Sequence, residues 1–381
     1  MEYQICTKCV WENSPRAFLT FDEHGVCNNC RNYDKFVAEH NLLDWDLNKK
    51  KLEANVAAIK KSGEGNEYDC ILGISGGVDS TYLAWFSKQL GLRPLVVHFD
   101  NGWNSELSVQ NIHNIVDKLK LDLNTYVIDW DEFRDLQLAY IRASVIDIEV
   151  PTDHFIYATL YEVANKNKIK YILDGNNVAT EFWGGSSKWG FSKTDLTNLR
   201  NIQKRFGTLK LTKYPKLGFY QRYYYNKIRG IQSAYLLNYI PYVRKDVVQN
   251  LEKELNWREP GGKHYESVFT RFYQGYILPK KFGVDKRRGH YSNLIWSGQM
   301  SREEALEKLK EETYPISLQQ EDRIFVLKKL GLSEAEFEQI MKQPLVEHEF
   351  YGCEADLWTR HYYFKRLVDP IVGFFKKTGI I

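Results

Sequence analysis

Two short stretches of this chain carry residue types at spacings that do chemistry. Ser75-Gly76-Gly77-Val78-Asp79-Ser80 follows an apolar run over residues 68–74 and precedes residues 81–90, whose apolar side chains recur at helical spacing. A strand, a turn of Gly and Ser, and a helix start together make an anion site. Glycine lets the backbone approach closely, and the first N–H groups of the helix point at the guest. Phosphate or pyrophosphate is the natural guest; the plain alternative is a strand-to-helix turn capped by Asp79 or Ser80. The second stretch pairs Cys6-x-x-Cys9 with Cys27-x-x-Cys30, using four of the six cysteines. Each pair sets two thiolates on one tight turn, and two such turns complete a tetrahedral shell for zinc. An iron–sulfur cluster takes the same ligands. Disulfides are disfavoured in the reducing compartment expected for this chain. A closed four-thiolate site has no open position for a substrate, so its expected role is to hold residues 1–45 folded.

The order of residues narrows the phosphate site. No G-x-x-x-x-G-K-[ST] run occurs in the chain, and Gly73-Ile74-Ser75-Gly76-Gly77-Val78 does not fit G-x-G-x-x-G. S-G-G-x-D-S fits the pyrophosphate loop of enzymes that split ATP between its α and β phosphates. Such a substrate needs a hard cation held by carboxylates, and Asp79 and Glu181 are the expected magnesium pair. Glu181 closes Asp174-Gly175-Asn176-Asn177-Val178-Ala179-Thr180-Glu181, just past an expected strand, which brings Gly175 to the nucleotide as well. Asp100 ends another expected strand; it either meets ribose or metal or simply forms the turn before Asn101-Gly102. His98 reads as a packed strand residue. Asp153 and His154, in Pro151-Thr152-Asp153-His154, either face the acceptor substrate or belong to a helix start capped by Thr152.

The elements that must position these groups alternate. A helix is expected over 51–62, then strand 68–74, helix 81–90, strand 93–99, helix 105–119, strand 123–128, a helix to about 167, and strand 170–173. That alternation predicts an α/β fold: a doubly wound parallel sheet with ligands outside the strand carboxyl ends. Residues 1–45 form the zinc module, 46–191 the nucleotide domain and 192–381 a helical substrate or partner domain in this reading. Residues 183–190 form either a lid or a surface loop. Beyond 192 the strand signal fades. Pro260-Gly261-Gly262-Lys263-His264 and the basic run over 278–288 suit a clamp on phosphates, with a solvated basic surface as the alternative. Ser301-Arg302-Glu303-Glu304 opens two further helices with a capping box.

Composition sets the outer bounds. With 52 basic and 49 acidic residues, a net charge of +3 gives little reason to expect nucleic-acid binding. Aromatic residues make up 14%, with 25 Tyr and 10 Trp, which suits a filled core as well as sugar or base stacking. No apolar run reaches the ~18 residues of a membrane helix, and the first residues show no secretory pattern. A soluble, cytoplasmic protein without membrane contact is expected.

Taken together, the paired cysteines, SGGVDS, HFDNGWNS over 98–105, VPTDHF over 150–155, GNNVATE over 175–181 and the GGKHYES to SGQ region resemble the N-acetyl sugar amidotransferases of bacterial surface-polysaccharide and nonulosonic acid pathways, the WbpG/PseA type. The resemblance runs from Cys6 to beyond Leu306. It implies ATP-dependent conversion of an acetamido group on a sugar, or nucleotide sugar, to an acetamidino group with ammonia. It also implies magnesium on Asp79 and Glu181, as in related pyrophosphate-loop synthetases. Lys263 and Lys286 are the candidates for stabilising charge in that reaction. Glu2 follows Met1 where an N-terminal glutaminase nucleophile would stand, and Tyr351-Gly352-Cys353-Glu354-Ala355 lacks a nucleophile elbow. A separate glutaminase partner supplying ammonia is therefore expected. The rival readings are a zinc-containing tRNA-thiolating enzyme and a non-catalytic ATP-binding subunit. The first needs further cysteines near ATP, and only Cys70 and Cys353 remain.

Overall fold

The structure, a computed structural model, describes residues 3–14, 16–182 and 188–354. Five strands form one sheet: β1 Cys70–Ile74, β2 Pro94–Asp100, β3 Asp122–Val127, β4 Tyr171–Leu173 and β5 Gln232–Ala234, in the order β3-β2-β1-β4-β5. Every neighbouring pair is parallel. Successive side chains of β1 enter opposite cores: Ile71 joins one apolar cluster with Leu95, Val97 and Phe99, while Leu72 and Ile74 join a second with Val96 and Leu173. Burial on both faces is why β1 and β2 are near-continuous apolar runs rather than alternating ones. Helices Trp130–Arg142 and Val150–Lys166 contribute to the first core; Val78–Gln89, Glu106–Leu119 and Arg244–Leu255 contribute to the second. The sheet is doubly wound.

The expected strands and helices fall close to the observed ones, and the differences have local causes. Helix Trp45–Ser62 starts earlier than residue 51 because Asp44 caps it, accepting from the Leu47 N–H. Helix Val150–Lys166 starts at Val150 with Pro151 in its first turn, so Thr152 lies inside it rather than capping it. β5 is a strand where the sequence shows no strand pattern. Its Gln232 and Ser233 are exposed, and only Ala234 is buried, so it carries no alternation to read. Ser301 forms the expected capping box with Glu304; three helices follow, Arg302–Lys308, Ile316–Leu330 and Glu334–Lys342, where two were expected. Residues 192–354 are otherwise helical or irregular.

The strand order reverses between β1 and β4, so a crevice opens at their carboxyl ends, the place where ligands bind in such sheets. The Ser75–Ser80 loop leaves β1 there, and Gly175 leaves β4 beside it. A β-carbon on Gly175 would stand 3.5 Å from the Ser80 nitrogen, so the two exits are in contact.

No helix among the described residues is long and apolar enough to cross a membrane.

Candidate functional site

The phosphate loop is built from the backbone outward. Gly76 takes φ +80°, and a β-carbon there would come within 2.6 Å of the Ser108 carbonyl oxygen, so glycine is required twice over. Helix Val78–Gln89 begins at Gly77 without a side-chain cap, leaving its first turn directed at the crevice. Ser80 Oγ donates to the Gly77 carbonyl at 3.2 Å, and Ser75 Oγ accepts from the Gly77 N–H at 3.3 Å. These bonds hold the loop closed on itself while the helix start stays open.

The Gly76 carbonyl is pinned from outside the loop. Trp257 Nε1 donates to it at 2.8 Å and Asn111 Nδ2 at 3.4 Å; Trp257 is almost fully buried. Sequence reasoning missed Trp257, one of ten tryptophans, because nothing local marks its partner.

A pocket lies over the loop, lined by Ser75, Gly77, Val78, Asp79 and Ser80, by Asp174, Gly175, Asn176 and Glu181, and by Arg244, Trp257, Pro260, Gly262, Lys263, His264 and Glu266. On its floor, Lys263 Nζ stands 2.5 Å from Glu181 Oε1 and 3.6 Å from Asp79 Oδ2. Burial alone would lower the lysine and raise the glutamate. Their mutual attraction wins on both sides, so Glu181 lies below the usual carboxylate range and Lys263 above the usual lysine range. Asp79 also accepts from Tyr242 Oη at 2.5 Å and Asn177 Nδ2 at 3.3 Å. Asn177 caps the short helix Val178–Glu181 through Thr180, which fixes Glu181 on the pocket side. Two carboxylates and one ammonium thus share one point at the mouth of an uncapped helix. Asp174, half-buried in the pocket lining, is pushed up chiefly by desolvation and further by the charge of Glu181.

The remaining expected site residues go elsewhere. Asp100 accepts from the Gly102 N–H at 2.9 Å, which is the turn-forming geometry, and it does not line the pocket. Asp153 pairs with Lys193 at 2.9 Å. His154 is fully buried. Its Nδ1 lies 3.0 Å from the Lys193 carbonyl and its Nε2 accepts from the Leu217 N–H at 3.0 Å, so both nitrogens belong to the backbone and no atom of His154 is open to a substrate. Burial lowers it to about 4.

Lys286 lies outside the pocket lining, half-buried over the Tyr273 ring at 6.0 Å; desolvation lowers it, opposed by Asp147, Glu149 and Asp153. Its charge also contributes to holding Glu181 low.

Much of the basic run over 278–288 is tied into the fold, while Lys280 is exposed, and none of its residues lines the pocket. Arg287 pairs with Asp285 at 2.7 Å, Arg288 with Glu12 at 2.6 Å, and Lys281 donates to the Ile340 carbonyl. Packing engages these three cations, and from the segment before the run Trp257, Pro260, Gly262, Lys263, His264 and Glu266 line the pocket. Of residues 183–190, 183–187 lie outside the described residues.

The four cysteines converge as their spacing predicts. Sγ of Cys6 and Cys30, of Cys9 and Cys27, and of Cys27 and Cys30 are each 3.7 Å apart, and all four ligand atoms lie within 4.8 Å. Thiolates ~2.3 Å from a tetrahedral zinc lie about 3.8 Å from one another, so the donor set fits the ion. The Cys27 N–H and the Trp296 Nε1–H donate to the sulfurs of Cys6 and Cys30 at 3.2 and 3.1 Å, the outer bonds that steady a thiolate site. Arg302 donates to the Cys6 and Cys9 carbonyls, and Phe182, next to Glu181, packs against Tyr33, Phe36 and Trp296. The knuckle is seated on the same elements that carry Glu181 and Lys286. Of the other cysteines, Cys70 is buried at the first residue of β1, away from the loop, and neither it nor Cys353 lines the pocket.

With that geometry in hand, likeness to known proteins is informative. Residues 52–217 match the NAD synthase family, and residues 266–365 match the C-terminal domain of WbpG-like LPS biosynthesis proteins. Over 132 residues the chain is 28% identical to an uncharacterized protein of Methanocaldococcus jannaschii, a stretch that is 34% of this chain and 45% of that protein. The chain therefore spans less than half the length of that curated relative.

Among solved structures, the NH3-dependent NAD synthetase of Campylobacter jejuni aligns at TM-score 0.32 and 13% identity over 80% of this chain and 99% of that one. The NMN synthetase of Francisella tularensis aligns at TM-score 0.30 and 14% identity over 54% and 95%. The two family matches meet at the pocket: the first contains the loop, Gly175 and Glu181, and the second opens at Glu266. They describe an ATP-using ligase and amidotransferase family, and the chain is a WbpG-type member of its pyrophosphate-loop branch.

Proposed function

We propose that this protein uses ATP to convert an acetamido group of a bacterial surface-polysaccharide sugar, free or nucleotide-linked, into an acetamidino group. The observation that carries the reading is the pocket itself: an uncapped helix start, two carboxylates and a lysine stand where an NAD synthase-type loop domain meets a WbpG-like domain. An amide carbon is a poor electrophile, so its oxygen first attacks the α-phosphorus of ATP, giving an O-adenylyl imidate and pyrophosphate. The loop backbone and the start of helix Val78–Gln89 hold the departing pyrophosphate. Asp79 and Glu181 would hold magnesium, which supplies neutralisation of the phosphate charge; Lys263 is then released toward the phosphates. Ammonia adds to the activated carbon and AMP leaves. Most of the acceleration comes from positioning and charge. A partner glutaminase supplies the ammonia in this reading, because the Cys353 segment lacks a nucleophile elbow. The zinc knuckle is structural.

The test is release of AMP and pyrophosphate by the purified protein with ATP, magnesium and ammonium across a panel of acetamido sugars, with product mass recorded. AMP release that depends on one sugar, with one oxygen replaced by NH in the product, is the expected result. AMP release that requires tRNA instead would overturn it.

A further inference from the structure

The two carboxylates expected to hold magnesium are supported unequally. Asp79 accepts from Tyr242 and Asn177, whereas Glu181 pairs with Lys263. Glu181 also ends a four-residue helix, Val178–Glu181, which is too short to hold its shape without tertiary contacts. Asn177 caps the front of that turn, and at the back Phe182 leaves it in an extended conformation. Once an ion displaces the lysine, the backbone on either side of Glu181 must aim the carboxylate.

The contacts that fix this backbone lead to the cysteine knuckle. Helix Arg287–Trp296 lies between the two sites and bonds to both. Arg288, Ser292 and Trp296 recur on one stripe of it and face the knuckle. Arg288 Nη1 donates to the Val10 carbonyl at 2.9 Å, Ser292 Oγ accepts from the Val10 N–H at 3.4 Å, and Trp296 Nε1 donates to Cys30 Sγ at 3.1 Å. One position on, Asn293 Nδ2 donates to the Thr180 carbonyl and Ser297 Oγ to the Ala179 carbonyl, each at 3.1 Å. Phe182 makes the direct connection. Its half-buried ring stands 5.4 Å from Tyr33 and 5.3 Å from Phe36, both on helix Asn28–Glu39, and 6.1 Å from Trp296. That helix is entered from Cys27 and carries Cys30, so two of the four thiolates and the seat of the Phe182 ring are built on one element.

We infer that Phe182 is a positioning residue: seated on the cysteine knuckle, its ring fixes the Glu181 carboxylate in the orientation that takes up magnesium. This rests on the reading of Glu181 as a magnesium ligand given above.

The experiment is calorimetric titration of the full-length protein with α,β-methylene-ATP at increasing magnesium, with zinc content and melting recorded alongside. Phe182→Ala is expected to raise the magnesium midpoint about tenfold, the lower end of what contacts outside a metal site contribute to affinity. Zinc content should stay full, and nucleotide binding should return at saturating magnesium. Phe182→Tyr, which keeps the ring, should restore the wild-type midpoint. Tyr33→Leu removes the same ring contact from the knuckle side and should move the midpoint in the same direction, so the question is answered even where Phe182→Ala does not fold. A wild-type midpoint in folded Phe182→Ala or Tyr33→Leu, or an equal loss in Phe182→Tyr, overturns the assignment. Nucleotide binding weakened equally at every magnesium concentration overturns it too, because a merely structural role gives that result. Glu181→Gln addresses the reading beneath: a wild-type midpoint there overturns Glu181 as a magnesium ligand, and this inference with it.

Discussion

The cysteine knuckle and the phosphate pocket are both assembled from short motifs, and they are finished in opposite ways. In the knuckle every ligand is buried, the sulfurs receive N–H bonds, and Arg302 ties its carbonyls to a distant helix. Nothing is left for a guest beyond one ion. In the pocket the helix start carries no side-chain cap, and two carboxylates share one lysine, with Tyr242 and Asn177 steadying Asp79 alone. The knuckle has its partners built in; the pocket keeps substitutes that a ligand can displace. Closed sites contribute stability and open ones contribute chemistry, and mutations should divide the same way.

The largest effect is expected at the knuckle. Cys9→Ser, or removal of metal by a chelator, should take zinc content to background and unfold the N-terminal module. Structural zinc contributes on the order of 10 kcal/mol in small modules, so melting should fall steeply. Full zinc content with wild-type melting in Cys9→Ser would mean the site is not closed.

Lys263→Met tests the opposite property. It leaves Asp79 and Glu181 without their cation, so AMP formation should drop by about 10- to 1000-fold, as when a charge-stabilising group is removed. Stability should become magnesium-dependent, because two half-buried carboxylates without their cation destabilise the fold until an ion replaces the ammonium. Unchanged turnover, or melting indifferent to magnesium, would break the comparison.

The smallest effect is expected at His154, a residue whose type invites a catalytic role and whose geometry is closed. Its folded value of about 4 lies below the unfolded one, so the neutral ring's contribution is complete above pH ~6.5 and is lost as pH falls toward 4, by up to about 3 kcal/mol. His154→Gln should flatten that part of the stability profile, cost about 1–3 kcal/mol at pH 7.5, and leave turnover per folded molecule within about twofold. A hundredfold loss of turnover in folded protein would return His154 to the active site.

Much of the fold was legible because it is local. The apolar runs of β1 and β2, the helical spacing after Ser80, the cap at Ser301 and the cysteine spacing each depend on residues a few positions apart. β5 was not legible, since two of its three residues are exposed and its pairing with β4 comes from the chain's path. Among site residues, Lys263 and Glu181 were both foreseen, yet their contact was not. Trp257 under Gly76 and Tyr242 on Asp79 left no signal. His154 and Lys286 carry types that suit catalysis; one is enclosed by backbone, and the other stands beside the pocket rather than in it.

By itself, the order of residues determined the strand–loop–helix that presents backbone N–H groups to an anion, and the two knuckles that bring four sulfurs together. Both follow from steric and hydrogen-bonding rules acting within one or two turns of chain. Only the tertiary structure decided which distant charges meet: Lys263 on Glu181 and Asp79, and Lys193 on Asp147 and Asp153. Such pairings depend on where the sheet order reverses and how the helical region packs across it. Charge interactions reach between segments that share no local pattern, so no short stretch of sequence encodes them.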